Sequence, residues 1–348
     1  MELYIFKQSN RQLAGIIEAF DYFRWTRRYS QSGSFELRAI ATEDNITLLQ
    51  VGNILWKNDD EEAGLIEFAE LTMQEQEFIV VSGRFATSFL ARRIIWGTEI
   101  LSGDLATAVN QLLQNHLLNP TDPERRVDGL TFTPEALGVS INTQASYRNL
   151  LDTVSGLCET ADVGIKTVIN PDTGVFAVKM YQGTETQAVF SKEYENIIEQ
   201  VFTQSLVDYA SIALVGGEGE GPERILATTG GGTGEERYEI FVDARDLQSE
   251  DFPEDYDAAL VFRGQERLTE LAMVKSFDVS VNQYGNLQYK IDFDIGSRVR
   301  IIAKRWGLSI AARITEIEEN YDQDGLSLSV VFGKPLLTLA QKLKGGNI

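Results

Sequence analysis

Two glycine-bounded blocks at opposite ends of the chain share one pattern, and that duplication most constrains what the chain can fold into. Near the start, Gly52-Asn-Ile-Leu-Trp-Lys57 leads through Gly64-Leu-Ile-Glu67 to Glu77-Phe-Ile-Val-Val-Ser-Gly83. Near the end, Gly296-Ser-Arg-Val-Arg-Ile301 leads through Ala312-Arg-Ile-Thr-Glu316 to Leu326-Ser-Leu-Ser-Val-Val-Phe-Gly333. Each block reads as a glycine turn, an alternating strand, an isoleucine strand with a glutamate close behind, and a β-rich strand stopped by glycine. The glycine-to-glycine spans differ by only a few residues, so one small loop insertion relates them. A β-unit duplicated within one chain is the expectation.

At 348 residues the chain is long enough for two or three domains and a sizeable core. Its 43% hydrophobic and 24% charged residues place it with globular proteins, neither disordered nor fibrous. The net charge of −21 is spread along the chain, with clusters at Asp59-Asp60-Glu61-Glu62, Glu235-Glu236 and Glu250-Asp251 that read as solvated surface. Such a surface repels nucleic-acid phosphate and anionic lipid. A single cysteine, Cys158, excludes an internal disulfide and a cysteine-built metal site. Tyr147, Leu150, Leu151, Val154, Leu157, Cys158 and Ala161 fall on one helical stripe behind an N-cap at Ser146, which makes Cys158 a small buried apolar residue. The N-terminus has no basic n-region or apolar h-region, and no apolar run approaches the ~18 residues of a membrane span. The chain therefore reads as soluble and made in the cytosol.

Residues 1–98 read as a first β-barrel, built from short runs at 3–6, 15–18, 34–40, 54–56, 65–71 and 78–82, with a short helix over 85–93 leaving it. Residues 99–195 read as an α/β domain. In it Asp104 caps a helix through Leu118, with His116 on the apolar stripe, and Asn170-Pro-Asp-Thr-Gly174 closes a hairpin. The β pattern returns at Asn196, and 196–234 with 274–335 form a second β-barrel. Its strands are expected at 197–202, 209–215, 277–281, 287–293, 299–302, 309–317 and 326–332. An α+β segment, 235–273, is inserted in it, with a strand at 237–244 and a helix opened by Pro253, Glu254 and Asp255. Residues 336–348 read as a C-terminal tail with a short basic helix.

No residue is assigned to catalysis, to a cofactor or to a metal. The runs Gly216-Gly-Glu-Gly-Glu-Gly221 and Gly230-Gly-Gly-Thr-Gly234 lack the following helix and the Lys-Ser/Thr of a phosphate cradle, and read as flexible loops. His116 is the only histidine, so a triad or multi-histidine metal site without it is impossible. A structural or surface role near a helix C-terminus suits it better. A glycosidase needs only two carboxylates, and Asp292/Asp294 and Asp243/Asp246 are available pairs. Asp322-Gln-Asp-Gly325 lacks the remaining ligands of a calcium loop and reads as a hairpin tip.

Three stretches, in order, resemble the baseplate-hub or tail-associated (Tal) proteins of long-tailed phages, of siphophage type. The first is Trp25-Thr-Arg-Arg-Tyr29, Gly33-Ser-Phe-Glu-Leu37 and Leu48-Leu-Gln-Val-Gly52. The second runs from Val215-Gly-Gly-Glu-Gly-Glu-Gly-Pro-Glu-Arg224 into Val242-Asp-Ala-Arg-Asp246. The third is Asp292-Phe-Asp-Ile-Gly296, Arg313-Ile-Thr-Glu-Ile-Glu-Glu319 and Val331-Phe-Gly-Lys-Pro335. The resemblance implies a homotrimer in which two tube-like barrels per subunit form a pseudo-six-fold ring, the second barrel split by an inserted domain. It implies partners in the tail tube or distal tail protein, the tape measure protein and other tail-tip or receptor-binding proteins. It also implies assembly in the host bacterial cytoplasm, a place in the virion tail tip, and an acidic lumen through which DNA slides. The chain ends at Ile348 without the long C-terminal extension of many tail-tip proteins, so wall cleavage or receptor binding is expected in another chain.

Two other readings compete. One is a tail-tip glycan hydrolase or peptidase using a carboxylate pair. The other is a carbohydrate-recognition protein with aromatic platforms, although Trp25, Trp56, Trp96 and Trp306 lie in or beside strand patterns and read as core or interface.

Overall fold

The computed structural model describes residues 1–73, 76–253 and 255–334; the tail expected over 336–348 lies outside them. The first unit contains β1 (Leu3–Phe6), β2 (Leu13–Ile17), β3 (Tyr22–Arg28), β4 (Ser34–Ile40), the short helix α1 (Glu43–Leu48), β5 (Ile54–Lys57), β6 (Ala63–Met73) and β7 (Glu77–Phe85). Alternation drives these strands: Phe23 and Trp25 on β3, Phe35 and Leu37 on β4, and Ile79 and Val81 on β7 all turn inward and are buried. They converge with Leu3, Ile5 and Phe85 on one core, where the Trp25 and Phe85 ring centroids lie 4.1 Å apart. Burial of each such side chain is worth roughly 1.5–3 kcal/mol.

A middle region follows: β8 (Thr98–Asp104), α2 (Leu105–Leu113), β9 (Leu130–Phe132), β10 (Ser140–Ser146), α3 (Leu150–Thr160), β11 (Val163–Asn170) and β12 (Val175–Gln182). Asp104 caps α2, as its position implies, by accepting from the Ala106 N–H, and a π-helical turn over Gln114–Leu118 extends it. The cap of α3 is Asn149, whose Oδ1 accepts from the N–H groups of Leu151 and Asp152. Ser146 instead ends β10, and Tyr147, at φ 50° and exposed, lies outside the helix. The 170–174 turn closes the β11–β12 hairpin.

The remaining strands are β13 (Glu185–Ser191), β14 (Ile197–Ser205), β15 (Ile212–Gly216), β16 (Leu226–Gly230) and β17 (Glu239–Asp243), then α4 (Tyr256–Glu270), β18 (Val274–Val281), β19 (Arg298–Ala303), β20 (Leu308–Asp322) and β21 (Gly325–Lys334). The strand expected over 209–215 is β15, and it pairs with β16 and β17 in a sheet of its own, with α4 packed on it. No strand forms over 287–293. Lys290 takes φ 65° and the Asp292 carboxylate accepts the Gln288 N–H, so the segment coils into a turn that buries Phe293.

The two ends of the chain share one 13-stranded sheet. Within it the order β3-β4-β7-β6-β5-β1 matches β14-β18-β21-β20-β19-β13 strand for strand. The match extends to single hydrogen bonds. Gly52, at φ 97°, donates to the Ile66 carbonyl at 2.8 Å, and the Ile66 N–H donates to Asn53 at 2.9 Å. Gly296, at φ 80°, donates to Ile314 at 2.9 Å, and Ile314 donates to Ser297 at 2.8 Å. A β-bulge follows each isoleucine, at Ile66/Phe68 and at Ile314/Glu316. A left-handed corner of this kind costs little only for glycine. The units differ at the last strand, since β1 pairs antiparallel with β5 whereas β13 pairs parallel with β19. They differ also between their first two strands, where residues 29–33 join β3 to β4 but the β15–α4 subdomain separates β14 from β18.

Gly83 sits opposite the first bulge, where an added Cβ would lie 1.7 Å from the Leu65 carbonyl oxygen. We expect Gly83→Ala to lower unfolding free energy by about 2–3 kcal/mol in urea melts. Gly325→Ala, which meets nothing within 4 Å, should cost about 1 kcal/mol from its positive φ alone.

Candidate functional site

The units meet where β20 pairs antiparallel with β3, from Glu316 opposite Arg28 to Tyr321 opposite Phe23. On the solvent face this seam carries the ion pairs Arg28–Glu316 at 2.7 Å and Arg24–Glu318 at 3.7 Å. Such part-exposed pairs add little stability. On the core face the seam carries a buried charged network. Lys57 on β5 is fully buried, with Nζ 2.5 Å from Glu319 Oε2 and 2.8 Å from Asp59 Oδ1. Tyr289 and Tyr321 donate their hydroxyls to Glu319 at 2.8 and 2.6 Å. Arg27 on β3 donates to Asp294 at 2.6 Å and to the Tyr289 hydroxyl at 3.1 Å, with Asp60 and Glu62 beside its Nε. The Trp25 indole N–H donates to Asp60 at 3.1 Å, and Lys290 donates to the Asp59 carbonyl at 2.8 Å.

The acidic cluster at 59–62 is therefore not uniformly solvated surface. The connection between β5 and β6 splits it: Asp60 and Glu62 are buried in the seam, Asp59 reaches Lys57 from its rim, and Glu61 faces outward to Lys166. Burial works against charge on Lys57, yet Glu319 and Asp60 hold its pKa above the ordinary value. Burial also opposes the Asp60 carboxylate, and Arg27 and Lys57 hold it below the usual range. Glu62 goes the other way. Burial and the neighbouring Asp60 push its pKa up to about 8, so it stays protonated at neutral pH. Cations at Arg27, Lys57 and Lys290 face a larger set of carboxyls, and Glu62 reduces the excess of negative charge by keeping its proton.

The residues singled out from sequence lie elsewhere or serve as acceptors. Asp294 joins the network through Arg27, while Asp292 caps its own turn. Asp243 is held well below the carboxylate range by hydrogen bonds from Arg245, with Arg224 adding to them, which does not suit a general acid. Asp246 accepts from Arg263 at 3.0 Å and from Gln144 at 2.7 Å, and so ties the β15–α4 subdomain to the middle region. His116 is buried with Nε2 3.0 Å from Glu99, its pKa lowered by burial. Cys158 is a buried apolar residue, as expected, its thiol pushed up to about 12 by burial. Gly216–Gly221 is a pinned turn: Arg224 donates to the Gly216 and Gly217 carbonyls, and the Glu218 N–H donates to the Tyr256 hydroxyl. Carbonyls and carboxylates line it, the wrong polarity for phosphate. Asp322 caps the β20–β21 turn by accepting the Asp324 N–H. Trp25 is core, and the half-exposed Trp96 is covered by Arg125, whose guanidinium carbon lies 4.0 Å from the ring centroid. Among the described residues no helix is long and apolar enough to cross a membrane.

The sequence matches the profile of a family described as Siphovirus ReqiPepy6 Gp37-like protein over residues 2–334. No curated protein matches it. Among solved structures, the chain is similar to the 43 kDa tail protein of prophage MuSo2 from Shewanella oneidensis. Identity is 14% and the TM-score 0.62, over 96% of this chain and 99% of that one. It is similar to prophage tail protein gp18 from Listeria monocytogenes EGD-e, at 14% identity and TM-score 0.61 over 99% of both chains. A weaker likeness, TM-score 0.53 at 8% identity, covers 97% of this chain and 53% of a chain in the Francisella PdpA-VgrG complex. At these identities the likeness is one of fold.

Truncating one partner of the buried pair leaves the other charged and unpaired. Lys57→Met should therefore cost about 3–5 kcal/mol of stability, and Lys57→Met with Glu319→Leu distinctly less, by denaturant titration. Glu62 carries a pH signature. Its folded pKa of about 8 exceeds the ordinary 4.5, so the unfolded chain loses that proton first. Its contribution is intact below about pH 4.5 and is lost as pH climbs toward 8. Glu62→Gln should raise Tm more at about pH 9 than at about pH 5.

Proposed function

This chain belongs to the Siphovirus ReqiPepy6 Gp37-like family, and from that premise we propose that it is the hub that closes a phage tail tube, a homotrimer whose two units per subunit form a pseudo-hexameric ring. A phage tail or baseplate-type structural protein is the established part of this reading. The observation that carries the rest is the duplication. Two units share one strand order and the same glycine-bulge corner, so three copies offer six near-equivalent positions to a six-fold tube. Each unit wraps its strands around its own core, which supports two curled, barrel-like bodies. We assign the first body to 1–98, the α/β region to 99–195, and the second body to 196–205 with 274–335. The insertion then runs over 206–273. The partners are the tail tube or distal tail protein above, and the tape measure and tip proteins beside and below.

The lumen in this reading is the sheet face opposite the core. Ser82, Ser280 and Ser329 line that face, where Arg24, Arg28 and Arg84 pair with Glu318, Glu316 and Glu67. Paired arginines offer phosphate little net attraction, and the surrounding acids repel it. Sedimentation should therefore give the mass of three chains, and projection images a ring with an axial opening. The ring should not retard duplex DNA in a gel at about 0.15 M salt. A monomer at every concentration would overturn the hub, and a ring that retards DNA would overturn the lumen assignment.

A further inference from the structure

The internal repeat leaves a contact half made. Within the chain, the first strand of the first unit, β3, pairs with the far half of β20, the fourth strand of the second unit. The repeat has a reciprocal pair: β14, equivalent to β3, and the far half of β6, equivalent to that of β20. Among the described residues neither has a partner on the corresponding edge. Among the described residues β14 bonds only to β18, and beyond the bulge β6 bonds only to β7, because the β5–β6 ladder ends where Ile54 meets Leu65. These free edges carry exposed apolar side chains: Phe68 at 49%, Leu71 at 58%, Met73 at 77% and Val201 at 57% exposure. An apolar strand edge of that kind is a template for another chain.

We propose that neighbouring copies of this chain join by adding β14 of one copy to the far half of β6 of the next, repeating between copies the β20–β3 seam made within each. The proposal rests on the hub reading and names the surface through which that ring closes. The repeat also fixes the register. The bulges align Ile66 with Ile314, so Leu71 stands where Glu319 does. Pairing through Gly83–Phe35–Trp25 and Phe332–Phe277–Phe202 aligns Phe202 with Trp25. Glu319 faces Trp25 in the internal seam, so Leu71 faces Phe202 of the next copy, and Thr72 faces Val201. The added strand is antiparallel, as in the internal seam, so the ladder runs unbroken from copy to copy.

The test is a cysteine pair at Thr72→Cys and Val201→Cys, positions whose side chains reach solvent. Residues directly opposite in an antiparallel ladder are within disulfide range, whereas those two positions out of register are not. Cys158 is fully buried and supplies no background thiol. On mild oxidation, non-reducing gels should show covalent oligomers up to the ring, at least tenfold more than with Thr72→Cys and Thr203→Cys. Neither single variant should cross-link into a ring. An oligomer of unchanged mass in which the in-register pair stays unlinked overturns this seam and leaves the hub intact. Preferential linking of the out-of-register pair overturns it as well. A chain that stays monomeric, with wild-type circular dichroism, overturns both.

Discussion

The buried contact of Lys57 with Glu319 holds the rest of the structure in register. It joins the first strand of one repeated block, β5, to the middle strand of the other, β20, across more than half the sequence. Neither charge reaches water, so each depends on the other and on the hydroxyls of Tyr289 and Tyr321. A hydrophobic seam of similar area would tolerate a slip of two residues along the β20–β3 ladder. This one does not, because a slip would strand a buried ammonium and a buried carboxylate. The price in desolvation is high, and what it secures is the relative placement of the two units.

The glycine-bulge corner shapes each unit independently of the seam. In both copies a left-handed glycine returns its N–H to the isoleucine before the bulge, and that isoleucine returns its own N–H to the next residue. The bulge turns the far half of the strand away from its first partner, freeing an edge. In the second unit β3 takes up that edge. One local device therefore generates both the internal seam and a vacancy equivalent to it.

Most strands were legible in the sequence because alternation is strong where one face is buried and the other wet, as in β4 and β21. β3 was missed as a strand because Arg24, Arg27 and Arg28 dilute its pattern, although Trp25 and Phe23 mark its inner face. β8 and β10 carry no clear alternation, because Ile100 and Ile141 stand among Ser, Gly, Asn and Gln. The network was harder to see. Asp59-Asp60-Glu61-Glu62 reads as a solvated run, and only its parity, with 60 and 62 inward, gives it away. Its partners at Arg27, Asp294 and Glu319 lay within the stretches that carried the family resemblance. Sequence order alone does not bring them together. β15 reads as one more strand of the same body until its partners, β16 and β17, are known.

The two seams differ in chemistry, and the difference has a physical logic. The internal one sets acids against arginines on its outer face and buries charge on its inner face. The free edges instead carry Phe68, Leu71, Met73 and Val201. If β14 displaced β3 from β20, Glu316 and Glu318 would face Ser205 and Thr203, and Gln204 would stand in place of Arg27, leaving Asp60 and Asp294 without their cation. Charge at the inner seam thus rejects the wrong strand, while at the proposed seam between copies apolar surface would favour the right strand without an unpaired buried ion. A chain built from two units of one strand order needs such a distinction, since otherwise each edge would accept either partner.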